Sequence, residues 1–166
     1  MNNIAEIAAA VPASSHEYLT FSLDTEEYAI DILKVQEIRG YDSVTSLPEL
    51  PEMIKGVINL RGLIVPVVDL RIKFRLGKAC YDATTAMIIL NIRGRTVALV
   101  VDGVSDVVAL APAQIRPAPQ FGAALDTGFL DGIGTLDNRM LILLNVEAVL
   151  KSDDLAVAGQ CLAKAA

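Results

Sequence analysis

Gly56-Val57-Ile58-Asn59-Leu60-Arg61-Gly62-Leu63-Ile64-Val65-Pro66-Val67-Val68-Asp69-Leu70 reads as strand, tight turn, strand. Nine of these fifteen residues are Val, Ile or Leu, a density that predicts a hairpin buried over most of its surface. Three polar residues interrupt it. Asn59 and Asp69 carry short acceptors of the kind that bind turn and loop backbone. Arg61 is different, because no turn requires it. A guanidinium at a strand tip suits a partner's carboxylate or helix C-terminus, or caps a loop carbonyl of its own chain. Gly62 is a turn residue, and Gly56 suits a left-handed backbone position that only glycine adopts cheaply.

Working outward, Tyr18–Leu23 alternates like a strand, Asp24–Glu27 turns, and Tyr28–Leu33 returns. Ile32–Arg39 has Ile32, Val35 and Ile38 at helical spacing but is rich in β-branched residues, so strand and short helical turn both stay open. Pro48 and Pro51 predict a loop before Gly56, with one helical turn near 52–54. Residues 73–82 read as a connector. Ala86–Ile92 and Thr96–Val101 form a second hairpin around Arg93-Gly94-Arg95. Val104–Leu110 follows, then a Pro-rich loop over 111–131, a strand at 132–136, a turn through Asp137-Asn138-Arg139 and a strongly apolar strand over 140–146. Residues 147–166 form a C-terminal helix and tail. Residues 1–16, small and Ala-rich, form a flexible tail.

The two halves repeat. Tyr28-Ala29-Ile30 and Val35–Ile38 align with Val97-Ala98-Leu99 and Val104–Val107 at an offset of 69. Gly56-Val57 aligns with Gly132-Ile133 at 76. Leu63-Ile64-Val65 then matches Leu141-Ile142-Leu143 after a slip of one or two residues, and both copies turn through an arginine, Arg61 and Arg139. Each copy contains about five short strands in roughly 60 residues, a size at which a twisted antiparallel sheet closes into a barrel and loses its edges. A module of ~60 residues is marginal alone. The expected architecture is therefore mostly β, two five-stranded barrels packed through an aliphatic interface. The domain spans 17–151, with barrels at about 18–77 and 86–146.

Composition narrows the function. The chain is 53% hydrophobic with no Trp, and its longest apolar stretches, such as Val97–Val101, fall far short of the ~20 residues that span a bilayer. No basic residue precedes the first apolar run, so no secretory signal is expected. Cytoplasmic localisation follows as the default. The net charge of −6 is thinly spread, which argues against a nucleic-acid face. Cys80 and Cys161 show no CxxC pattern and read as free thiols. His16 is the only histidine and sits in a polar lead-in, so triad and zinc chemistry lack support. No phosphate-binding or dinucleotide glycine motif occurs. No catalytic residue, metal site or cofactor is expected.

The set Asp31–Ile38, Gly56-Val57-Ile58-Asn59-Leu60-Arg61-Gly62, Ile64–Leu70 and Val101–Val107 resembles the CheW family of bacterial chemotaxis coupling proteins, and is close to its enterobacterial type, over about Tyr18–Leu150. The resemblance implies two SH3-like barrels and a non-catalytic, free-standing adaptor. It implies partners, too: the cytoplasmic tips of methyl-accepting chemoreceptors and the regulatory domain of the histidine kinase CheA, in arrays at the inner face of the membrane without membrane insertion. By motif, the receptor groove would involve Val35, Glu37, Ile38, Arg61, Val104 and Val107. The kinase surface would be organised by Gly56, Asn59 and Gly62. Read from the residues alone, Val35 and Ile38 are core. An alternative is a stand-alone β-barrel regulatory or ligand-binding domain acting on an enzyme.

Overall fold

The computed structural model describes residues 15–42, 44–73, 76, 81–92, 94–117 and 130–149. Among these residues eleven strands run in chain order. The first hairpin is β1 (His16–Leu23) and β2 (Glu26–Asp31), followed by β3 (Val35–Gly40). The opening stretch forms β4 (Ile54–Leu60) and β5 (Leu63–Asp69), and a single helical turn, α1 (Leu70–Lys73), follows it. The second copy contains β6 (Ala86–Ile92), β7 (Arg95–Val101), β8 (Gly103–Leu110), the two-residue β9 (Ile115–Arg116), β10 (Leu130–Leu136), β11 (Arg139–Leu144) and α2 (Val146–Val149). The ambiguity at 32–39 resolves into both readings, a 3-10 turn at Ile32–Lys34 and then β3. Among the described residues the first strand begins at His16, which pairs with Leu110, one residue before the expected boundary. The C-terminal element starts at Val146. Residues 1–14 and 150–166, Cys80 and Cys161 lie outside the described residues.

The strands form two sheets, β8-β1-β2-β11-β10-β9 and β3-β6-β7-β5-β4. Each closes by the same device. In the five-stranded sheet the chain just beyond β3 returns to β4, where Thr45 and Val57 exchange N–H···O bonds of 2.8 and 2.9 Å. In the other, β8 continues through a 3-10 turn at Pro112–Gln114 into β9, which pairs with β10 at Ile133–Arg116 and Gly134–Ile115. The result is two SH3-like barrels of five strands each, one strand of each being kinked.

The division of the chain differs from the expected one. Barrels at about 18–77 and 86–146 would keep each repeat together, yet each sheet draws on both repeats. The hairpin β1–β2 belongs to the barrel of β8, β10 and β11, and β6–β7 belongs to the barrel of β3, β4 and β5. The first hairpin of each copy is thus exchanged. It docks by a parallel pairing, β2 on β11 and β5 on β7. The pairing Leu143–Ala29 in one barrel repeats Val67–Ala98 in the other, which fixes the offset across the second hairpin at 76 without slip. Arg139 accordingly falls at the place of Leu63, the first strand residue, and not in the turn.

Exchange explains the aliphatic composition. On β6 and β7 alternate residues face opposite ways, and both sides are covered. Met87, Ile89, Ala98 and Val100 fill a barrel interior, while Ile88, Leu90, Ile92, Val97, Leu99 and Val101 join a cluster shared between the sheets. A strand buried on both faces reads as a continuous apolar run. Among the described residues the shared cluster has sixteen buried members, against eight and five in the barrel interiors. At about 1.5–3 kcal/mol per fully buried aliphatic side chain, the inter-barrel interface is the dominant core, so the two barrels are one folding unit. No helix of the described residues is long and apolar enough to cross a membrane.

Candidate binding groove and hairpin tips

Five of the six residues expected at a receptor groove come from two strands, β3 and β8, equivalent in the repeat, and the sixth, Arg61, sits in the β4–β5 turn. Val35 and Val104 are half-buried and pack against the inter-barrel cluster. Ile38 pairs with Ile88, and Val107 with Leu19. Paired residues share a sheet face, and Ile88 and Leu19 belong to the inter-barrel cluster. Ile38 and Val107 therefore lie on that face too, but at its open margin, 46% and 48% exposed. The structure thus brings four apolar residues from both barrels to the rim of one apolar interface.

Glu37 and Arg61 belong to the same neighbourhood. Arg61 Nη2 donates to Glu37 Oε2 at 2.6 Å, linking the β4–β5 tip to β3. This hydrogen bond holds the Glu37 carboxyl below its ordinary range. Arg61 itself is exposed and adopts φ 53° in the turn. Of the roles open to it from sequence, the guanidinium serves neither a loop carbonyl nor the turn; it pairs with a carboxylate of its own chain and remains accessible.

The second copy carries the counterpart, which the sequence reading missed. Asp106 aligns with Glu37, and Arg139 Nη2 donates to Asp106 Oδ1 at 3.0 Å and to Glu27 Oε2 at 2.6 Å. Arg139, then Thr20, whose hydroxyl also donates to Asp106, lower the Asp106 pKa. The repeat aligns the two acids but not the two arginines, since at the offset of 76 Asp137 stands at the place of Arg61 and Arg139 at that of Leu63.

Gly56, Asn59 and Gly62 have clear local roles. Gly56 is buried at a bulge with φ +146°, and a Cβ there would come within 2.0 Å of the Thr45 carbonyl oxygen. Gly132 repeats this at φ +153° against Arg116 O, 2.6 Å away. Both glycines let the kinked strand approach and close its barrel. Asn59 Oδ1 accepts from Gly62 N at 2.7 Å across the turn, where Gly62 has φ +90°. Beside the exposed Arg61, the tip shows Leu63 and Ile64 to solvent, 51% and 44% exposed, neither of which was expected as a contact.

A buried polar network ties the barrels together at the far end of β5. Arg71 Nε and Nη2 bind the two carboxylate oxygens of Asp69 at 3.0 and 2.9 Å, and Arg71 Nη1 donates to Asp102 at 2.9 Å. Tyr81 Oη donates to Asp69 Oδ2 at 2.6 Å. Asp102 Oδ2 accepts from Asp24 N in the β1–β2 turn at 2.6 Å. Burial alone would raise the Asp69 pKa, but the hydrogen bonds from Arg71 and Tyr81 outweigh it and lower it. The Tyr81 hydroxyl is pushed up by burial and by its bond to Asp69. Asp69 is thus a buried hub, more than the local loop partner expected. Among the described residues no group of three or more His, Cys, Asp or Glu is placed to hold a metal ion.

Known proteins share this design. The family model for the CheW-like domain matches residues 17–154. The chemotaxis protein CheW of Klebsiella aerogenes is 55% identical over 141 residues, 85% of this chain and 85% of that protein. Its counterpart from Bacillus subtilis is 32% identical, covering 84% of this chain and 90% of its own length. The crystal structure of the scaffolding protein TtCheW from Thermoanaerobacter tengcongensis superposes with a TM-score of 0.77 at 36% identity, over 84% of this chain and 94% of that one. Repeat, exchanged hairpins and motif stretches thus come with matching relatives across nearly the whole described domain, and the chain belongs to the CheW family.

Proposed function

We propose that the chain is a non-catalytic adaptor that couples the cytoplasmic tips of methyl-accepting chemoreceptors to the regulatory domain of the histidine kinase CheA. A chemotaxis scaffold role follows from family membership. The named partners, and a place in arrays at the inner face of the membrane, are our reading. The observation that carries it is the apolar rim of Val35, Ile38, Val104 and Val107, contributed by both barrels beside the exposed Arg61–Glu37 pair. A helix binds by laying an apolar stripe into such a groove, and the half-buried floor with exposed margins suits it. The kinase surface is assigned to the β4–β5 tip. There Asn59 and Gly62 shape the turn, Gly56 closes the barrel farther back along β4, and exposed side chains make contact.

The test is affinity of a receptor-tip helical-hairpin fragment for the wild type and for Val35→Lys. A loss of at least about tenfold, as expected for a charge placed on an apolar contact, with an unchanged melting temperature supports the placement. Wild-type affinity in the variant would remove Val35 from the contact. Binding of CheA to Gly56→Asp tests the second surface in the same way.

A further inference from the structure

The chain crosses between the barrels twice before its second copy closes, from β2 to β3 and from β7 to β8. Each crossing meets the helical turn that follows a copy's last strand. At the β7–β8 corner, Arg71 of α1 holds Asp102 inside the buried network. At the β2–β3 corner, Lys34 Nζ donates to Glu147 Oε1 of α2 at 2.7 Å. Arg71 and Glu147 are equivalent at the offset of 76, and their partners Asp102 and Lys34 lie one position apart at the offset of 69, so each corner is held from the same helical turn with the charges reversed.

They are unequal. Arg71 is 3% exposed, whereas Lys34 and Glu147 are each about one-third exposed. The β2–β3 corner is only lightly packed: its 3-10 turn buries no residue, Ile32 and Val35 reach the inter-barrel cluster from half-buried positions, and Leu33 is 79% exposed. Polar contacts supply the rest. Asp31 Oδ1 accepts from Leu33 N at 2.9 Å and is bound by His16 Nε2 at 2.6 Å, and Val35 N donates to Ile32 O. A cavity of about 220 Å³ opens beside the pair, lined by Asp31, Asp131 and Asn145 as well as the pair itself. Val35, the first groove residue, directly follows Lys34.

We propose that the Lys34–Glu147 pair is a positioning clamp for the binding groove: it fixes the corner from which β3 starts and so sets where Val35 and Ile38 stand against their counterparts on β8. The clamp rests on the groove reading above. An exposed pair of this kind contributes little to global stability, so its effect is local.

The test combines Lys34→Glu, Glu147→Lys and the double exchange, read by receptor-fragment affinity and by amide hydrogen exchange. Each single reversal is expected to weaken binding about fivefold and to speed exchange at residues 34–38, while β6 and β7 stay protected. The double exchange is expected to restore both. Single reversals without effect on exchange at 34–38 overturn the clamp, as does a double exchange that restores neither. If a single reversal unfolds the chain, Lys34→Met and Glu147→Gln carry the same two readouts. Failure of the wild type to bind the fragment would overturn the groove reading instead, and exchange at 34–38 would still decide the clamp.

Discussion

Replacing Gly56 by Ala tests how the first barrel closes. A Cβ at Gly56 would lie 2.0 Å from Thr45 O, about 1 Å inside the 3.0 Å that real Cβ atoms respect, and the obstacle is backbone. The segment carrying Thr45 must retreat, which breaks the pair of hydrogen bonds it exchanges with Val57. At about 0.5–1.5 kcal/mol net for each bond, and about 1–2 kcal/mol for an L-residue in a left-handed conformation, the sum is ~2–5 kcal/mol. Gly62→Ala is the internal control. It has φ +90° but open space around its Cβ, so only the conformational cost of ~1–2 kcal/mol applies. Gly132→Ala, with 2.6 Å to Arg116 O, falls between. Urea denaturation of the three variants yields the order directly. Gly56→Ala no more destabilising than Gly62→Ala would refute the argument that close approach at Thr45, and not the turn, is why glycine stands at 56.

Asp69→Asn leaves Arg71 buried beside a neutral group, and breaking a buried pair from one side costs about 3–5 kcal/mol; calorimetry of the variant checks this. Asp69 has a lowered pKa, so its contribution is complete above the unfolded value of about 4. It is lost as pH falls through the folded value, because the unfolded chain takes up the proton first. Tyr81 has a raised pKa, so its contribution is complete below about 10 and is lost as pH rises and the unfolded chain ionises first. Urea midpoints across both ranges should show the alkaline loss flattened in Tyr81→Phe. Leu33→Ser, at a site 79% exposed, should shift stability by less than about 0.5 kcal/mol.

Strands were legible where burial on both faces left unbroken apolar runs, as in Ala86–Ile92, where the structure matches the sequence to the residue. The repeat was legible because two glycines at φ above +140° recur for the same reason. Hairpin exchange was not, since each hairpin has the same internal pattern whichever barrel receives it. The parallel contacts that decide, Leu143–Ala29 and Val67–Ala98, join strands distant in sequence. The two-residue β9 is too short for any periodicity. Arg71 carries no signal of its role in the sequence, because its second partner, Asp102, is 31 residues away. The groove residues could be named from the family motif, but only the fold puts Val35 and Val104 on one cluster.

In the proposed complex one ligand helix spans both barrels. Backbone amide shifts of the chain, recorded while a receptor-tip fragment is added, test it most directly. Val35–Ile38 and Val104–Val107 are expected to shift together, with a single affinity, and Val107→Lys to weaken the response at Val35 as well as its own. Shifts confined to one of these strands, or centred on the β4–β5 tip, would contradict it.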